Sequence, residues 1–175
     1  MIINSEHARR YIVGVLVNNE PGVLARVSGL FSRRGFNIDS LAVGPTMDET
    51  ISRITIVVRG DKVNIDQLVQ QLYKLISVQK VKVFTDKDTV ARQLILVKVR
   101  ATLRDREGLM RLADIFKSKV VDVTKNTVSL QLTGDTGKIE SLMSLLEDYG
   151  IVEIVRTGMV ALERGDSVMT PDIFD

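Results

Sequence analysis

Apolar residues along this chain recur at two spacings, one typical of helices and one typical of strands. Two stretches of the first half have helical spacing, and their apolar positions are Val23, Leu24, Val27, Leu30 and Phe31, then Ile65, Leu68, Val69, Leu72 and Ile76. Four apolar runs predict strands, at residues 11–17, 36–43, 51–58 and 78–84. The first half is therefore predicted to run strand, helix, strand, strand, helix, strand.

The second half repeats this order. Its predicted strands are 94–99, 120–123, 128–132 and 151–155, with a further strand-like run at 159–162. Its helix faces are Leu109, Leu112, Ala113 and Phe116, then Ile139, Leu142, Met143 and Leu146. Two βαββαβ halves predict an α+β protein of two ferredoxin-like sandwiches, each an antiparallel sheet with two helices on one face. Uncovered sheet faces and edge strands need partners, so we expect at least a homodimer.

The boundary between the halves is predicted at a short charged stretch, Thr85-Asp86-Lys87-Asp88. We expect the chain to divide into a flexible N-terminal segment, a first domain, a linker, a second domain and a tail. The bounds of these parts are 1–9, 10–85, 86–92, 93–165 and 166–175.

The composition narrows the classes of function. The chain has 175 residues, 45% of them hydrophobic, and a formal net charge of +2. No apolar run approaches the roughly 20 residues of a membrane helix, so we expect no membrane association. Basic residues form no stripe with interleaved aromatic residues, which argues against nucleic-acid binding. The lack of cysteine fits a reducing compartment, and we expect a cytoplasmic protein.

The residue types that usually carry catalysis are scarce. The single histidine, His7, lies in the polar N-terminal segment, and no nucleophile elbow, phosphate loop or dinucleotide fingerprint is present. Asp86 and Asp88 form either a weak cation site or, more simply, a solvated linker. Asp135 or Thr136 is expected to cap a helix. The chain is therefore expected to bind or regulate rather than catalyse.

The turn from Asn19 to Leu24 is the strongest candidate binding feature. It follows an apolar strand and opens a helix, and proline is favoured at a helix start. Gly22 permits a close approach of ligand or backbone. The unpaired N–H groups of a helix start attract carboxylates, so the turn could bind a small anion such as an amino acid. The alternative is an ordinary strand-to-helix turn.

Several short motifs occur together along the chain. In the first half they are Asn19-Glu20-Pro21-Gly22-Val23-Leu24, Gly29-Leu30-Phe31, Arg33-Arg34-Gly35-Phe36-Asn37-Ile38, Ser40-Leu41-Ala42-Val43-Gly44-Pro45-Thr46, Ser52-Arg53-Ile54-Thr55-Ile56 and Gly60-Asp61. In the second half they are Leu96-Val97-Lys98-Val99, Ile115-Phe116-Lys117, Val121-Asp122-Val123-Thr124, Arg156-Thr157-Gly158 and Arg164-Gly165-Asp166. From about residue 10 to 166 the chain thereby resembles the small regulatory subunit of acetolactate synthase (acetohydroxyacid synthase), whose N-terminal part is an ACT domain.

This resemblance implies a chain without cofactors that works on a catalytic large subunit. Thiamine diphosphate, magnesium and FAD would belong to that large subunit. The small subunit would raise its activity and confer feedback inhibition by valine or another branched-chain amino acid. A free-standing amino-acid sensor of the same fold is the alternative.

The resemblance also implies an effector site where two ACT domains of a homodimer meet. Its residues would be Asn19, Pro21, Gly22, Val23, Leu24, Asn37 and Ile38. Backbone N–H groups of the turn would bind the carboxylate, and the two asparagine amides would orient the ammonium group. The corresponding link of the second half, residues 101–108, lacks the proline–glycine turn, so we expect an effector site in the first half only.

Overall fold

The computed structural model describes residues 9–85 and 87–171. They form two compact units. The first unit extends to Val90 and also includes the chain from Met159 onward, and the second unit is Ala91–Gly158. His7 and most of the expected N-terminal segment lie outside the described residues.

The first unit contains the predicted βαββαβ fold. Its elements are β1 (Arg9–Asn18), α1 (Val23–Arg33), β2 (Ile38–Pro45), β3 (Ile51–Gly60), α2 (Lys62–Leu72) and β4 (Val78–Phe84). Neighbouring strands pair antiparallel in the order β2-β3-β1-β4. The central strand β1 is opposite β3 in continuous register from Arg9–Gly60 to Asn18–Ile51. This arrangement confirms the ferredoxin-like sandwich.

The helices of the first unit lie on one face of this sheet. Alternate β1 residues Val13, Val15 and Val17 are buried against the apolar faces of α1 and α2. Helix α1 ends at Arg33. Gly35 follows two residues later, and its φ of 74° places it in the left-handed region that glycine adopts without strain. The next amide, of Phe36, donates to the Phe31 carbonyl at 3.0 Å, which closes the helix end.

The second unit repeats the fold. Its elements are β5 (Thr89–Arg100), which begins in the first unit, α3 (Asp105–Phe116), β6 (Lys119–Val123), β7 (Thr127–Gly134), α4 (Thr136–Glu147) and β8 (Ile151–Arg156). The strand order β6-β7-β5-β8 matches that of the first unit. Side chains such as Val97, Leu130 and Leu142 form a separate core. The prediction of two α+β sandwiches is confirmed.

The domain boundaries differ from those expected from the sequence. Residues 89–92 were expected in a linker, yet they belong to β5, and Thr89 is buried although it is polar. The second domain was expected to reach residue 165, whereas the second unit ends at Gly158. The chain after Gly158 belongs to the first unit, and its residues Met159 and Ala161 are buried.

Residues 159–171, which we call the covering segment, pack on the sheet of the first unit. The amide of Met159 donates to Oγ of Ser40 at 2.7 Å, and the short strand β9 (Val160–Glu163) follows. Leu16 and Phe84 lie on the sheet face opposite the helices, because they alternate with helix-facing residues, and both are buried. We expected this face to need a second copy, but the chain itself covers part of it. No helix among residues 9–85 and 87–171 has the length and apolar character to cross a membrane.

Candidate functional site

The turn between β1 and α1 has an open helix start. Gly22 is the residue before the helix and has φ 82° and ψ −5°, which is left-handed backbone. The helix therefore begins at Val23, not at the proline as the sequence suggested. No side chain caps this helix, and its first turn contains no acidic residue. The Val23 amide donates to the Glu20 carbonyl at 3.4 Å, and the next N–H groups, of Leu24 and Ala25, have no intrahelical acceptor.

The other helix starts carry carboxylates of their own. Asp61 accepts a hydrogen bond from the amide of Asn64 at 2.8 Å at the start of α2, and Asp135 accepts one from Lys138 at 2.9 Å at the start of α4. Asp135, rather than Thr136, is therefore the cap. Within the part of the chain that the structure describes, α1 is the helix whose start is left without a carboxylate from the chain.

Helix α3, the counterpart of α1 in the second unit, has no side-chain cap either, but its first turn contains the carboxylates of Asp105 and Glu107. The Asp105 carboxylate accepts hydrogen bonds from Oγ1 of Thr102 at 2.6 Å and from the Thr102 amide at 2.9 Å. The Thr102 hydroxyl, and secondly its amide, lower the pKa of Asp105 below 3.8, its ordinary value. An added ligand carboxylate would meet a like charge there, so the two units differ at this position.

Asn19 is fixed at the edge of the open turn. Its backbone amide donates to the Thr50 carbonyl at 2.7 Å, and its Nδ2 donates to the Glu49 carbonyl at 2.8 Å. These two bonds orient the amide group. The side-chain oxygen, the acceptor that an ammonium group would need, has no partner among the described residues.

Arg26 is a cation beside the turn that the sequence analysis did not single out. It lies four residues after Gly22, hence on the same side of the helix, and its Nη2 donates to the Pro21 carbonyl at 3.4 Å. Its Nη1 lies 3.4 Å from Oγ of Ser77. Val23 and Val27 line a pocket of about 230 Å³ with it. The helical spacing from Gly22 is the signal that identifies this cation.

Asn37 and Ile38 lie at the opposite end of the sheet from the turn. Ile38 is opposite Val58 of β3, whereas Asn18, next to the turn, is opposite Ile51. At about 3.3 Å per strand residue, these positions on β3 are about 23 Å apart. Ile38 packs against the core, and Asn37 is exposed. A single copy of the chain therefore brings together the residues of the turn but not the two parts of the predicted site.

The carboxylates that the structure describes form no metal centre. No group of three or more His, Cys, Asp or Glu side chains converges within residues 9–85 and 87–171. Asp86, one half of the weak cation site considered from the sequence, lies outside the described residues.

Two protein-family models match this chain, one in each half. A family model described as the AHAS small subunit-like ACT domain matches residues 13–80, so the first unit is built on an ACT domain. A second model, described as the small subunit of acetolactate synthase, matches residues 92–165. The chain belongs to the acetolactate synthase small subunit family, as the resemblance of its motifs indicated.

Individual relatives match along most of the chain. A probable acetolactate synthase small subunit of Archaeoglobus fulgidus is 45% identical over 157 residues, which cover 90% of this chain and 98% of the relative. The acetolactate synthase small subunit of Mycobacterium leprae is 46% identical over 155 residues, covering 89% and 92%. The crystal structure of the small subunit from Thermotoga maritima superposes with a TM-score of 0.84 at 38% identity, covering 91% of this chain and 99% of that one.

Proposed function

We propose that this chain is the regulatory subunit of an acetolactate synthase. It binds the catalytic large subunit in the cytoplasm, raises its activity and makes it sensitive to valine. Thiamine diphosphate, magnesium and FAD belong to the large subunit, and this chain contributes none of the reacting groups. Membership of the small subunit family supports the partnership with the large subunit.

The open start of α1 is the observation that supports an amino-acid effector. Helix N-termini attract carboxylates through unpaired N–H groups and the helix dipole. Helices α2 and α4 satisfy this demand with Asp61 and Asp135, and α3 has acidic residues in its first turn, whereas α1 has neither. Arg26 adds a positive charge beside the turn. These features support the binding of a ligand carboxylate at the start of α1.

Asn37 lies at the opposite end of the sheet from the turn, and this separation supports a site shared by two copies of the chain. Asn19 can accept a hydrogen bond from the ligand ammonium group in one copy, and Asn37 of the second copy completes the polar contacts. Ile38 and Leu24 would surround the branched side chain. The effector then binds a dimer more tightly than a monomer, and its binding energy can bias the complex between two activity states.

Reconstitution with the large subunit tests this proposal. Acetolactate formation is measured for the large subunit alone and with this chain, across a valine titration. We expect the chain to raise the rate in the absence of valine and to introduce a valine-dependent decrease. Allosteric coupling of about 1–3 kcal/mol corresponds to a change of about 5–150-fold, so partial inhibition fits as well as complete inhibition.

Two results would contradict the proposal. A rate that is unchanged by this chain, although the two proteins co-purify, would exclude activation. Activation without any response to valine, leucine or isoleucine would exclude the feedback role. A chain that binds valine but never co-purifies with the large subunit would favour the free-standing sensor instead.

A further inference from the structure

A second cavity lies on the face of the first sheet that the helices do not cover. It has a volume of about 740 Å³, within the range of small-molecule sites. Its floor is formed by Leu16 and Ile51 of the sheet, and the covering segment closes it with residues such as Leu162 and Met169. This cavity is distinct from the open turn of α1, since the two share no lining residue.

Arg53 is the cation of this cavity and is held in a fixed orientation. Its Nη2 donates to the Ala161 carbonyl at 2.7 Å, and its guanidinium lies 5.5 Å from the ring centroid of Phe84. Its Nε is buried and has no hydrogen-bond partner among the described residues. The planar guanidinium is thereby oriented by two contacts while part of its donor capacity stays unused, which suits carboxylate recognition.

The carboxylates near Arg53 have hydrogen-bond partners other than its guanidinium. The Glu163 side chain is nine-tenths buried, and its Oε1 pairs with Nζ of Lys82. Burial lowers the pKa of Arg53, and the Glu163 charge opposes this effect only in part. Asp48 also lines the cavity, but its carboxylate already accepts two hydrogen bonds from Thr50. A half-buried guanidinium without its own carboxylate partner gains from binding an anion.

We propose that this cavity binds an aliphatic carboxylate, with the carboxylate group on Arg53 and the hydrocarbon chain on Leu16, Ile51 and Leu162. The proposal does not depend on the regulatory function proposed above. Two sources share this chemistry, simple carboxylic acids and amino acids with an aliphatic side chain. They differ at the ammonium group, for which Glu163 has one oxygen without a hydrogen-bond partner.

Methionine methyl groups give a probe of this cavity in the full chain. Met47 and Met169 line it, whereas Met110 and Met143 lie in the second unit. In spectra of the chain labelled with ¹³C at the methionine methyls, titration with octanoate should shift the Met47 and Met169 signals and leave the other two unchanged. Affinity should rise about fourfold for each CH₂ group from pentanoate to octanoate.

An uncharged ligand and an Arg53 variant test whether binding depends on the charges of the ligand and of Arg53. Octanol should bind at least about tenfold more weakly than octanoate, and Arg53→Gln should remove this difference. If Arg53→Gln does not fold, Val168→Trp replaces it, because Val168 lines the cavity and is largely exposed. That variant should weaken octanoate binding, and Leu103→Trp, at a similarly exposed position of the second unit, should not.

Three outcomes would overturn the proposal. These are octanoate binding no tighter than octanol, no shift at Met47 and Met169, or unchanged affinity in both Arg53→Gln and Val168→Trp. Comparison of 2-aminooctanoate with octanoate identifies the source. If 2-aminooctanoate binds more tightly than octanoate and Glu163→Gln removes this advantage, amino acids are the natural ligands. If 2-aminooctanoate binds more weakly, simple carboxylic acids are the natural ligands. Failure of valine inhibition in the reconstituted enzyme would leave these results unaffected.

Discussion

The guanidinium of Arg53 donates a 2.7 Å hydrogen bond to the carbonyl oxygen of Ala161, 108 residues further along the chain. This bond joins the first part of β3 to the covering segment, which the chain reaches only after passing through the second unit. Phe84, below the same guanidinium, is buried by this arrangement. The covering segment is therefore an integral part of the first unit, and its contacts should contribute to the stability of that unit.

Gly14 tests the packing under the covering segment. A Cβ atom at this position would lie 2.7 Å from Cε2 of Phe84 and 3.2 Å from Sδ of Met169. We expect Gly14→Ala to lower the free energy of unfolding by about 1–3 kcal/mol, because both side chains must move. Equilibrium urea unfolding measures the change. Gly44→Ala is the control, since a Cβ there has no atom within 4 Å, and its effect should stay within about 0.5 kcal/mol.

The Lys82–Glu163 ion pair should show coupling in a double-mutant cycle. Glu163 is nine-tenths buried and Lys82 is 40% exposed, so water screens this pair only in part. We expect Glu163→Gln to lower the free energy of unfolding by about 1–3 kcal/mol, because the Lys82 ammonium loses its partner. The double variant with Lys82→Met should cost less than the two single variants together. Additive effects within about 0.5 kcal/mol would show that the pair contributes no coupling.

Much of the fold could be predicted from the sequence because its signals are local. The helical spacing from Val23 to Phe31 reflects one buried face, and alternation along β1 reflects a sheet with one apolar face on the helices. The covering segment could not be placed in this way. Its position depends on contacts such as Arg53–Ala161, which are remote in sequence and leave no periodic pattern.

The sequence indicated individual residues of the candidate site but not their positions relative to one another. The turn around Gly22 has a distinct composition, so the sequence indicated it directly. The separation of Asn37 from that turn follows from the antiparallel register of β2 and β3, which the sequence does not specify. Arg53 offered one signal, a charge among apolar residues of a strand, but only the structure shows what surrounds it.

The carboxylate of Asp105 should titrate at an unusually low pH. Because Thr102 lowers its pKa in the folded state, Asp105 stabilises the fold above pH 3.8, and this contribution is lost as pH falls through the lower folded pKa. Nuclear magnetic resonance titration should show Thr102→Ala returning the pKa towards 3.8. Asp48, whose pKa is lowered in the same way by Thr50, is the control and should not change. An Asp105 pKa that is the same in both proteins would exclude Thr102 as its cause.

A negative charge at Gly22 should weaken the response to valine. Gly22→Asp places a carboxylate where we propose that the effector carboxylate binds, and Gly22→Asn places a neutral group of the same shape there. Both residues tolerate left-handed backbone, so the φ of 82° costs them a similar amount. In the reconstituted enzyme, Gly22→Asp should raise the half-inhibitory valine concentration about tenfold or more, and clearly more than Gly22→Asn does. Equal effects of the two variants would indicate backbone distortion instead of charge.

Mixing two defective chains should restore valine sensitivity if the site is shared between copies. Gly22→Asp and Asn37→Ala would each disable both sites of their own homodimer. In a mixed dimer, one site contains both defects and the other contains neither, because the turn and Asn37 of one site come from different chains. Random exchange of equal amounts makes half of the dimers mixed, so about a quarter of all sites become intact.

Chains with two different tags allow the mixed dimer to be isolated and assayed with the large subunit. We expect it to regain part of the valine inhibition that both parent homodimers lack. A purified mixed dimer that stays insensitive would place all contacts of the effector within one chain. The register of the sheet argues against that result, since it separates the turn from Asn37 by about 23 Å in a single copy.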